Sequence, residues 1–237
     1  LGEAGPLSFA QERLWFIEQY AGGTNAYHIP MVLELSSDTD IEGIKYGLRA
    51  VVSRHEVLRS YIKEGDDSQG IHVVDDKELP IEEFYLGGKE DYESLITDGI
   101  NTPFDLSKEY PIRVQVYHVG GSGHASSDHT FLLINVHHIA GDGWSTDIFK
   151  RELSAYYDAY LQGNDTFSLP ELDIQYKDYA AWQRSYLNGD ILASQLSYWR
   201  DKLSGFETLE LPTDYRRPST IDYRGDNVFF DLSKDLS

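Results

Sequence analysis

The sequence predicts an α/β fold in which helices flank a mixed, mostly antiparallel sheet. Short apolar or alternating segments, typical of strands, are interspersed with longer segments whose apolar residues recur every three or four positions, as in amphipathic helices. The two kinds do not alternate strictly, which disfavours a doubly wound parallel sheet. A Gly- and Ser-rich stretch, 120–128, separates two strand-like segments and is suited to joining antiparallel neighbours.

Capping residues mark where the helices begin and end. Ser8 and Gln11 have the spacing of a capping box, and the pair Gly22-Gly23 ends that helix. Asp40 is a suitable N-cap for a second helix, which ends near Arg54. The predicted helices cover 8–21, 40–54, 91–100, 145–161, 174–187 and 191–203.

The strands are predicted from two-residue periodicity and from continuous apolar runs. The run 131–136 is apolar nearly throughout, as expected of a strand buried on both faces. The segments 58–62 and 71–74 flank a polar turn at 65–70 and are predicted to form a hairpin. The predicted strands cover 27–35, 58–62, 71–74, 112–117, 131–136 and 227–232.

Composition excludes several classes of function. The 237 residues carry a formal net charge of −20, and no segment clusters the Lys and Arg that nucleic acid or an anionic membrane surface requires. The chain has no Cys, which excludes disulfides, thiolate nucleophiles and thiolate metal ligands and suits a reducing compartment. No Gly-rich phosphate loop follows a strand, so nucleotide binding has no support. We expect a cytoplasmic protein without a nucleic-acid or membrane partner.

The stretch 131–146 carries the residues best suited to chemistry. The apolar strand ends in His137 and His138, which point to opposite faces if the strand persists, so one of them faces any given cleft. A neutral histidine can act as a general base, Asp142 follows across a turn, and Gly143 offers an exposed backbone N–H for a developing oxyanion. Ser145 lies nearby without a GxSxG elbow, which disfavours a covalent acyl-enzyme. The pattern therefore favours direct transfer between two bound substrates over hydrolysis.

Two alternatives to a catalytic turn remain open on these residues alone. Paired histidines at a strand end can be packed, hydrogen-bonded core residues. A metal site is the second alternative, although the spacing of the candidate ligands matches no known framework. Those candidate ligands are His118, His124, Asp128, His129, His137 and His138.

Four motifs, in this order along the chain, resemble those of condensation domains from nonribosomal peptide synthetases. Residues 8–15 resemble SxAQxRLW and residues 54–59 resemble RHExLR. Residues 137–143 resemble HHxxxDG, and residues 176–183 resemble YxDYAxW. The chain is therefore identified as a member of that family, within the chloramphenicol acetyltransferase-like superfamily, whose sandwich fold we expect here.

The resemblance implies a role for each residue of the HHxxxDG motif. His138 would be the catalytic residue, positioning or deprotonating the acceptor amine as it attacks the donor thioester. Gly143 would lie against the reacting centre and could donate its amide. His137 and Asp142 would be structural, with the Asp142 carboxylate paired to an arginine, for which we favour Arg54. On general grounds, aromatic stripes on helices are usually core, so we expect Trp15, Trp182 and Trp199 to be buried.

The resemblance also implies that the chain is incomplete. Family domains have two similar lobes with a tunnel between them, so residues 1–237 would form the N-terminal, donor-side lobe. Residues 213–237 would begin the crossover towards a missing C-terminal lobe. The start without Met and the apparent entry to a further element at 231–237 fit a piece of a longer protein. We expect the lobe to fold and to be inactive by itself.

Substrates and partners follow from the same resemblance. The lobe would use no metal and no directly bound cofactor, because its substrates would arrive on the phosphopantetheine arms of carrier proteins. Its partners would be carrier protein domains, the C-terminal lobe and a neighbouring adenylation domain. The SxAQxRLW form resembles domains that join an L-configured donor to an L-configured acceptor. The alternatives are a non-catalytic module that docks carrier proteins and a related acyltransferase that uses a hydroxyl acceptor.

Overall fold

The computed structural model describes residues 4–65, 70–87, 91–120, 129–216, 219 and 230–231. Its strands lie in two sheets. The strands are β1 (Ala4–Pro6), β2 (His28–Leu35), β3 (Ser60–Glu64), β4 (Gly70–Val74), β5 (Ile81–Leu86), β6 (Ile112–Val119) and β7 (His129–His137). The helices are α1 (Phe9–Ala21), α2 (Ile41–Arg54), α3 (Tyr92–Asn101), α4 (Gly143–Leu161), α5 (Tyr176–Tyr186) and α6 (Gly189–Lys202).

The larger sheet has the order β2-β7-β6-β5, and only its β5–β6 pair is parallel. The smaller sheet has the order β1-β4-β3 and is antiparallel. The predicted α/β class and the mixed, mostly antiparallel sheet are therefore confirmed. The predicted antiparallel pairing across the Gly/Ser stretch is also found, between β6 and β7. Most of that stretch, 121–128, lies outside the described residues.

Alternation along the central strands determines what covers each face of the larger sheet. Side chains at 112, 114 and 116 of β6 and at 132, 134 and 136 of β7 share one face, where they pack against α2 and α4. Tyr117 and Leu133 lie on the opposite face and pack against α3. Both faces are covered, which explains why β7 has the continuous apolar sequence that predicted a buried strand.

All six predicted helices are present, and the caps lie where the sequence placed them. Ser8 and Gln11 form the capping box of α1, Gly22 ends that helix with φ of +70°, and Asp40 accepts a hydrogen bond from Gly43 N–H at the start of α2. α5 is tied to the start of α1, because Gln183 Oε1 accepts from the Phe9 N–H at 3.0 Å. Short polar caps are local signals, which is why they could be identified without a structure.

Several strand predictions need correction. The strand predicted at 58–62 begins at Ser60, because Glu56–Arg59 form a turn of 3₁₀ helix. β1 and β5 were not predicted: β1 has three residues, and β5 is an edge strand whose adjacent Glu82 and Glu83 interrupt the apolar alternation. The strand predicted at 227–232 lies largely outside the described residues, and residues 230–231 are not in a strand.

The burial of the tryptophans differs from the prediction. Trp15 is partly buried against the cluster formed by Leu7, Ile62 and their neighbours. Trp182 and Trp199 are 54% and 57% exposed, so the expectation that they are core residues is wrong. Helical periodicity indicates an apolar face but not what covers it, and α6 has no buried residue in the described part of the chain.

No helix in the described part of the chain is long and apolar enough to cross a membrane.

Candidate active site

The end of β7 places the two histidines on opposite sides of the sheet, as their alternation predicts. Strand pairing continues to His137, which lies opposite His28. Beyond the strand, the His138 N–H donates to the Tyr27 carbonyl at 2.8 Å, so the backbone stays in line with the neighbouring strand. His137 is fully buried, whereas His138 is exposed.

His137 is held by a hydrogen bond at each ring nitrogen. Its Nδ1 accepts from the Ile139 N–H at 3.0 Å, so the ring hydrogen is on Nε2, which faces the Glu18 carboxylate at 3.3 Å. The other Glu18 oxygen accepts from the Thr24 N–H at 3.0 Å. These contacts tie the turn after β7 to the C-terminal end of α1. They are the arrangement expected for a histidine with a structural role.

His138 lines a cavity of about 730 Å³ that opens between α1, β2, α4 and the start of α5. The walls nearest the sheet are apolar, with Ile29 and Met31 from β2 and Phe149 from α4. No hydrogen bond joins the His138 side chain to another residue that the structure describes. The imidazole is therefore available to a group that enters the cavity.

All four sequence motifs converge on this cavity. Arg13 comes from the first motif, His55 from the second, Asp142 from the third and Tyr179 from the fourth, and all of them line it. The first and fourth motifs also touch directly, because the Ser8 hydroxyl lies 3.1 Å from the hydroxyl of Tyr176. Residues more than 160 positions apart therefore build one site, which the spacing of the motifs could not show.

Asp142 lines the cavity and is the N-cap of α4. Its carboxylate accepts from the Ser145 N–H at 2.8 Å, and its own N–H donates to the Ser145 hydroxyl at 2.7 Å. The backbone N–H and the hydroxyl of Ser145 lower the pKa of the Asp142 carboxyl below its ordinary value, and His138 acts in the same direction. Ser145, which lacked a nucleophile elbow in the sequence, therefore belongs to the cap.

The predicted ion pair between Asp142 and Arg54 is wrong. Arg54 lies at the end of α2 and faces Glu152, with Nε 3.4 Å from the carboxylate. His55 Nε2 lies 2.7 Å from the same carboxylate. Glu152 is ten residues beyond Asp142, about 15 Å along the axis of α4, so one arginine cannot serve both acids. Arg54 supports the cavity wall at the α2–α4 contact, through its neighbour His55.

Gly143 is the first residue of α4 and lies beside the cavity rather than in its wall. Gly141 and Asp142 line the cavity, and Gly143 is not among the lining residues. Apart from its own stretch of helix, no described residue would lie within 4 Å of a Cβ at Gly143, so the backbone there is open to an approaching group. Its position at the N-terminus of α4 also aligns its N–H with the positive end of the helix dipole.

The residues proposed as metal ligands from the sequence are dispersed. His118 Nε2 lies 3.1 Å from Glu83, and His129 Nδ1 lies 2.6 Å from Glu34. His124 and Asp128 lie outside the described residues. Within the described part of the chain, no three His, Asp or Glu side chains group in a way that could hold a metal ion.

Sequence reasoning missed two groups at the site. Glu18 was not singled out, and Gln11 was assigned only to a helix cap, although both contact the turn after β7. The available signal was their spacing, because residues seven apart lie on one face of a helix. An acid and an amide on the face that also carries Leu14 indicate polar partners in the core.

The fold and the site define a domain of the condensation family. The family model described as "Condensation domain" matches residues 3–237, and the chain therefore belongs to that family.

Curated relatives from three organisms agree with this assignment. The chain is 37% identical over 237 residues to malpinin synthetase of Mortierella alpina. It is 37% identical over 242 residues to N-(5-amino-5-carboxypentanoyl)-L-cysteinyl-D-valine synthase of Amycolatopsis lactamdurans. It is 34% identical over 238 residues to the dimodular nonribosomal peptide synthase of Bacillus subtilis. Each alignment covers 98% of this chain, and 3%, 6% and 10% of the respective relatives.

Solved structures support the same family. The X-domain from teicoplanin biosynthesis superposes with a TM-score of 0.77 at 28% identity, over 92% of this chain and 48% of the other. The first condensation domain of the CDA synthetase superposes with a TM-score of 0.69 over 86% of this chain and 51% of the other, and its 19% identity supports the fold alone. The chain therefore spans about half of each solved chain.

Replacing Asp142 tests the cap. Asp142→Ala is expected to lower the free energy of unfolding by about 1 kcal/mol, and Asp142→Asn by less, because Asn is also a good N-cap. A carboxyl with a lowered pKa stabilises the fold while it is ionised, so the advantage of Asp over Asn should shrink as pH falls below 3.8, the ordinary value of the group. Urea unfolding from pH 7 to pH 3 measures both effects.

The matched control is Asp91→Ala, which removes the N-cap of α3, where Asp91 accepts from the Ser94 N–H at 3.0 Å. The two alanine variants should lose similar stability. An Asp142→Ala variant as stable as the unchanged chain would contradict the cap.

Replacing Glu152 tests the network behind the cavity wall. Glu152→Ala leaves the largely buried Arg54 and His55 without their carboxylate, and we expect a loss of about 3 kcal/mol in the free energy of unfolding. Lys108→Ala, which removes the exposed ion pair with Asp105, is the control and should leave the urea midpoint unchanged. Equal midpoints for Glu152→Ala and the unchanged chain would show that the network contributes nothing.

Proposed function

We propose that this chain is the N-terminal, donor-side half of a condensation domain that forms amide bonds. The donor is an acyl or peptidyl thioester and the acceptor is an aminoacyl group, each carried on the phosphopantetheine arm of a carrier protein domain. The observation that carries the proposal is His138, whose imidazole lines an open cavity and has no hydrogen bond to the residues that the structure describes, while its neighbour His137 is held on both nitrogens. Membership of the condensation family and similarity to a nonribosomal peptide synthase support it.

The proposed reaction uses the turn in a defined way. The acceptor amine attacks the thioester carbonyl, the C–N bond forms, and the C–S bond breaks to release the donor carrier's thiol. His138 accepts a hydrogen bond or the proton from the attacking amine, and the departing thiolate gains a proton in exchange. The Gly143 N–H, at the positive end of α4, would donate to the oxygen that becomes negative in the transition state. This half needs no metal and holds no cofactor of its own for these steps.

The form of the first motif supports an L-configured donor and an L-configured acceptor. An adenylation domain in the same protein would select the acceptor amino acid. These assignments follow from resemblance to the family and extend the proposal to the whole protein.

The second half of the domain is proposed to cover the apolar face of α5 and α6. The chain spans about half of each solved relative, and its exposed apolar side chains concentrate in this region. On α5, the rings of Tyr179 and Trp182 are tilted with centroids 5.8 Å apart, and those of Trp182 and Tyr186 stack at 5.2 Å. On α6, Leu196 and Trp199 are more than half exposed. Exposed apolar surface of this extent is typical of an interface.

His138→Ala in the full-length protein tests the catalytic role. Loss of the base should slow amide formation by about 100-fold or more at saturating carrier-bound substrates. Single-turnover formation of the amide product, followed by mass spectrometry, measures it. His129→Ala is the control, because His129 lies at the opposite end of β7, is exposed and does not line the cavity.

A His138→Ala variant that condenses at the parental rate would favour a docking module without catalysis. Replacing the amine acceptor with the matching alcohol distinguishes the remaining alternative. Ester formation faster than amide formation would identify a hydroxyl acyltransferase instead.

The interface is tested by comparing one substitution in two contexts. Leu196→Asp should lower the melting temperature of the complete two-half domain, because it places a charge in a buried interface. In residues 1–237 alone it should have little effect, because Leu196 is already 51% exposed there. Tyr20→Asp, at an exposed aromatic residue on α1, is the control. Equal effects of Leu196→Asp in both contexts would contradict the interface.

A further inference from the structure

The Gln11 side chain makes three hydrogen bonds in the interior, where its exposed fraction is 2%. Its Oε1 accepts from the Ser8 N–H at 3.0 Å, which completes the capping box of α1. The same oxygen lies 3.0 Å from His72 Nε2 on β4. Its Nε2 donates to the Ile139 carbonyl at 3.0 Å. Only the first of these contacts is needed to cap the helix.

The Ile139 carbonyl belongs to the residue directly after His138. The Ile139 N–H donates to His137 Nδ1, and the Ile139 carbonyl accepts from Gln11 Nε2. The backbone of this residue is therefore held by a hydrogen bond on each side. The His138 N–H is fixed in turn by Tyr27. These bonds hold the peptide groups on either side of His138 and so set the direction in which its Cα–Cβ bond points.

The Ser8 N–H and the Ile139 carbonyl fix the orientation of the Gln11 amide. The Ser8 N–H can only donate, so the amide presents its oxygen to Ser8 and its NH₂ group to Ile139, and His72 Nε2 faces the same oxygen. His72 is 4% exposed, and burial lowers its pKa to about 4, so the ring is neutral at pH 7. His72 belongs to the smaller sheet, so the Gln11 side chain connects that sheet to the turn after β7.

We propose that Gln11 is a positioning residue for His138, and that its bond to the Ile139 carbonyl sets the direction of the imidazole in the cavity. The inference rests on the proposed role of His138 and adds a residue that does not touch substrate. A displacement of a catalytic group by about 1 Å can cost about 100-fold in rate. Loss of one bond to the turn should therefore reduce turnover rather than binding.

Gln11→Glu separates this role from the helix cap. A glutamate keeps an acceptor for the Ser8 N–H, as in the usual capping box, and for His72, but it has no hydrogen to donate to the Ile139 carbonyl. Gln11→Met is the second variant, in case a buried carboxylate prevents folding, because it fills a similar volume without a donor. Gln115→Met is the matched control, since the Gln115 amide donates to Glu82 on the larger sheet at 2.7 Å and Gln115 does not line the cavity.

Two measurements are needed. In residues 1–237, hydrogen exchange of the Ile139 amide should accelerate at least about tenfold in Gln11→Glu, because loss of the carbonyl bond frees the turn to open. The ring resonances of His138 should shift or broaden, while the α1 amides keep their protection. In the full-length protein, kcat for amide formation should fall at least about tenfold with KM changed less than about twofold, as expected when the catalytic group is displaced but substrate binding is kept. Gln115→Met should change none of these quantities.

The outcomes separate this inference from the proposed function. If Gln11→Glu and Gln11→Met leave the Ile139 exchange rate and the His138 resonances unchanged, Gln11 does not position the turn. If they disturb the turn while His138→Ala condenses at the parental rate, the positioning stands and the catalytic role of His138 fails. If KM rises at least about tenfold while kcat is unchanged in a folded Gln11 variant, the effect is on binding and the inference is overturned.

Discussion

The site depends on the hydrogen bonds that hold the buried imidazole of His137. Both of its nitrogens are committed, one to the Ile139 N–H and one to Glu18, inside a protein interior. A rotation or a change of tautomer would leave two buried polar groups without partners, and each such group costs about 1–3 kcal/mol. The next residue must then point to the opposite face of the sheet, where the cavity lies. The exposure of His138 is therefore a consequence of the burial of His137.

Helix α1 supports the turn after β7 through two of its side chains. Gln11 and Glu18 are seven residues apart, about 10 Å along one face of α1, and they contact the turn on either side of His138. The start of α1 is tied to α5 by Arg184, which bonds the Leu7 carbonyl at 2.5 Å and Glu12 at 2.9 Å. A turn that is bonded to a rigid helix positions a catalytic side chain more accurately than an unsupported loop does.

Several of the chain's basic residues join one structural element to another. Of 20 basic and 40 acidic residues, several cations are used inside contacts between elements rather than on a binding surface. Arg54 joins α2 to α4, Lys45 joins α2 to Glu83 on β5, and Arg184 joins α5 to α1. The acidic side chains that are exposed in the described part of the chain favour solubility. The exposed apolar residues of α5 and α6 depart from that charged surface.

The sequence by itself determined the elements whose signals are local. Caps at Ser8 and Asp40, the continuous apolar run of β7 and the periodic helices were all predicted, because each depends on neighbours within a few residues. The cap that Asp142 provides for α4 was not predicted. The motifs identified the family, and strand alternation separated His137 from His138. Short or edge strands such as β1 and β5 were not readable, because pairing rather than periodicity creates them.

Only the tertiary structure decided which residues meet. It paired Arg54 with Glu152 instead of Asp142, left Trp182 and Trp199 uncovered, and brought Gln11 to the carbonyl beside His138. Such contacts join residues about a hundred positions apart, and their geometry follows from how helices and sheets pack. Local sequence patterns specify the face that a side chain occupies on its own element, whereas its partner depends on the packing of the whole fold.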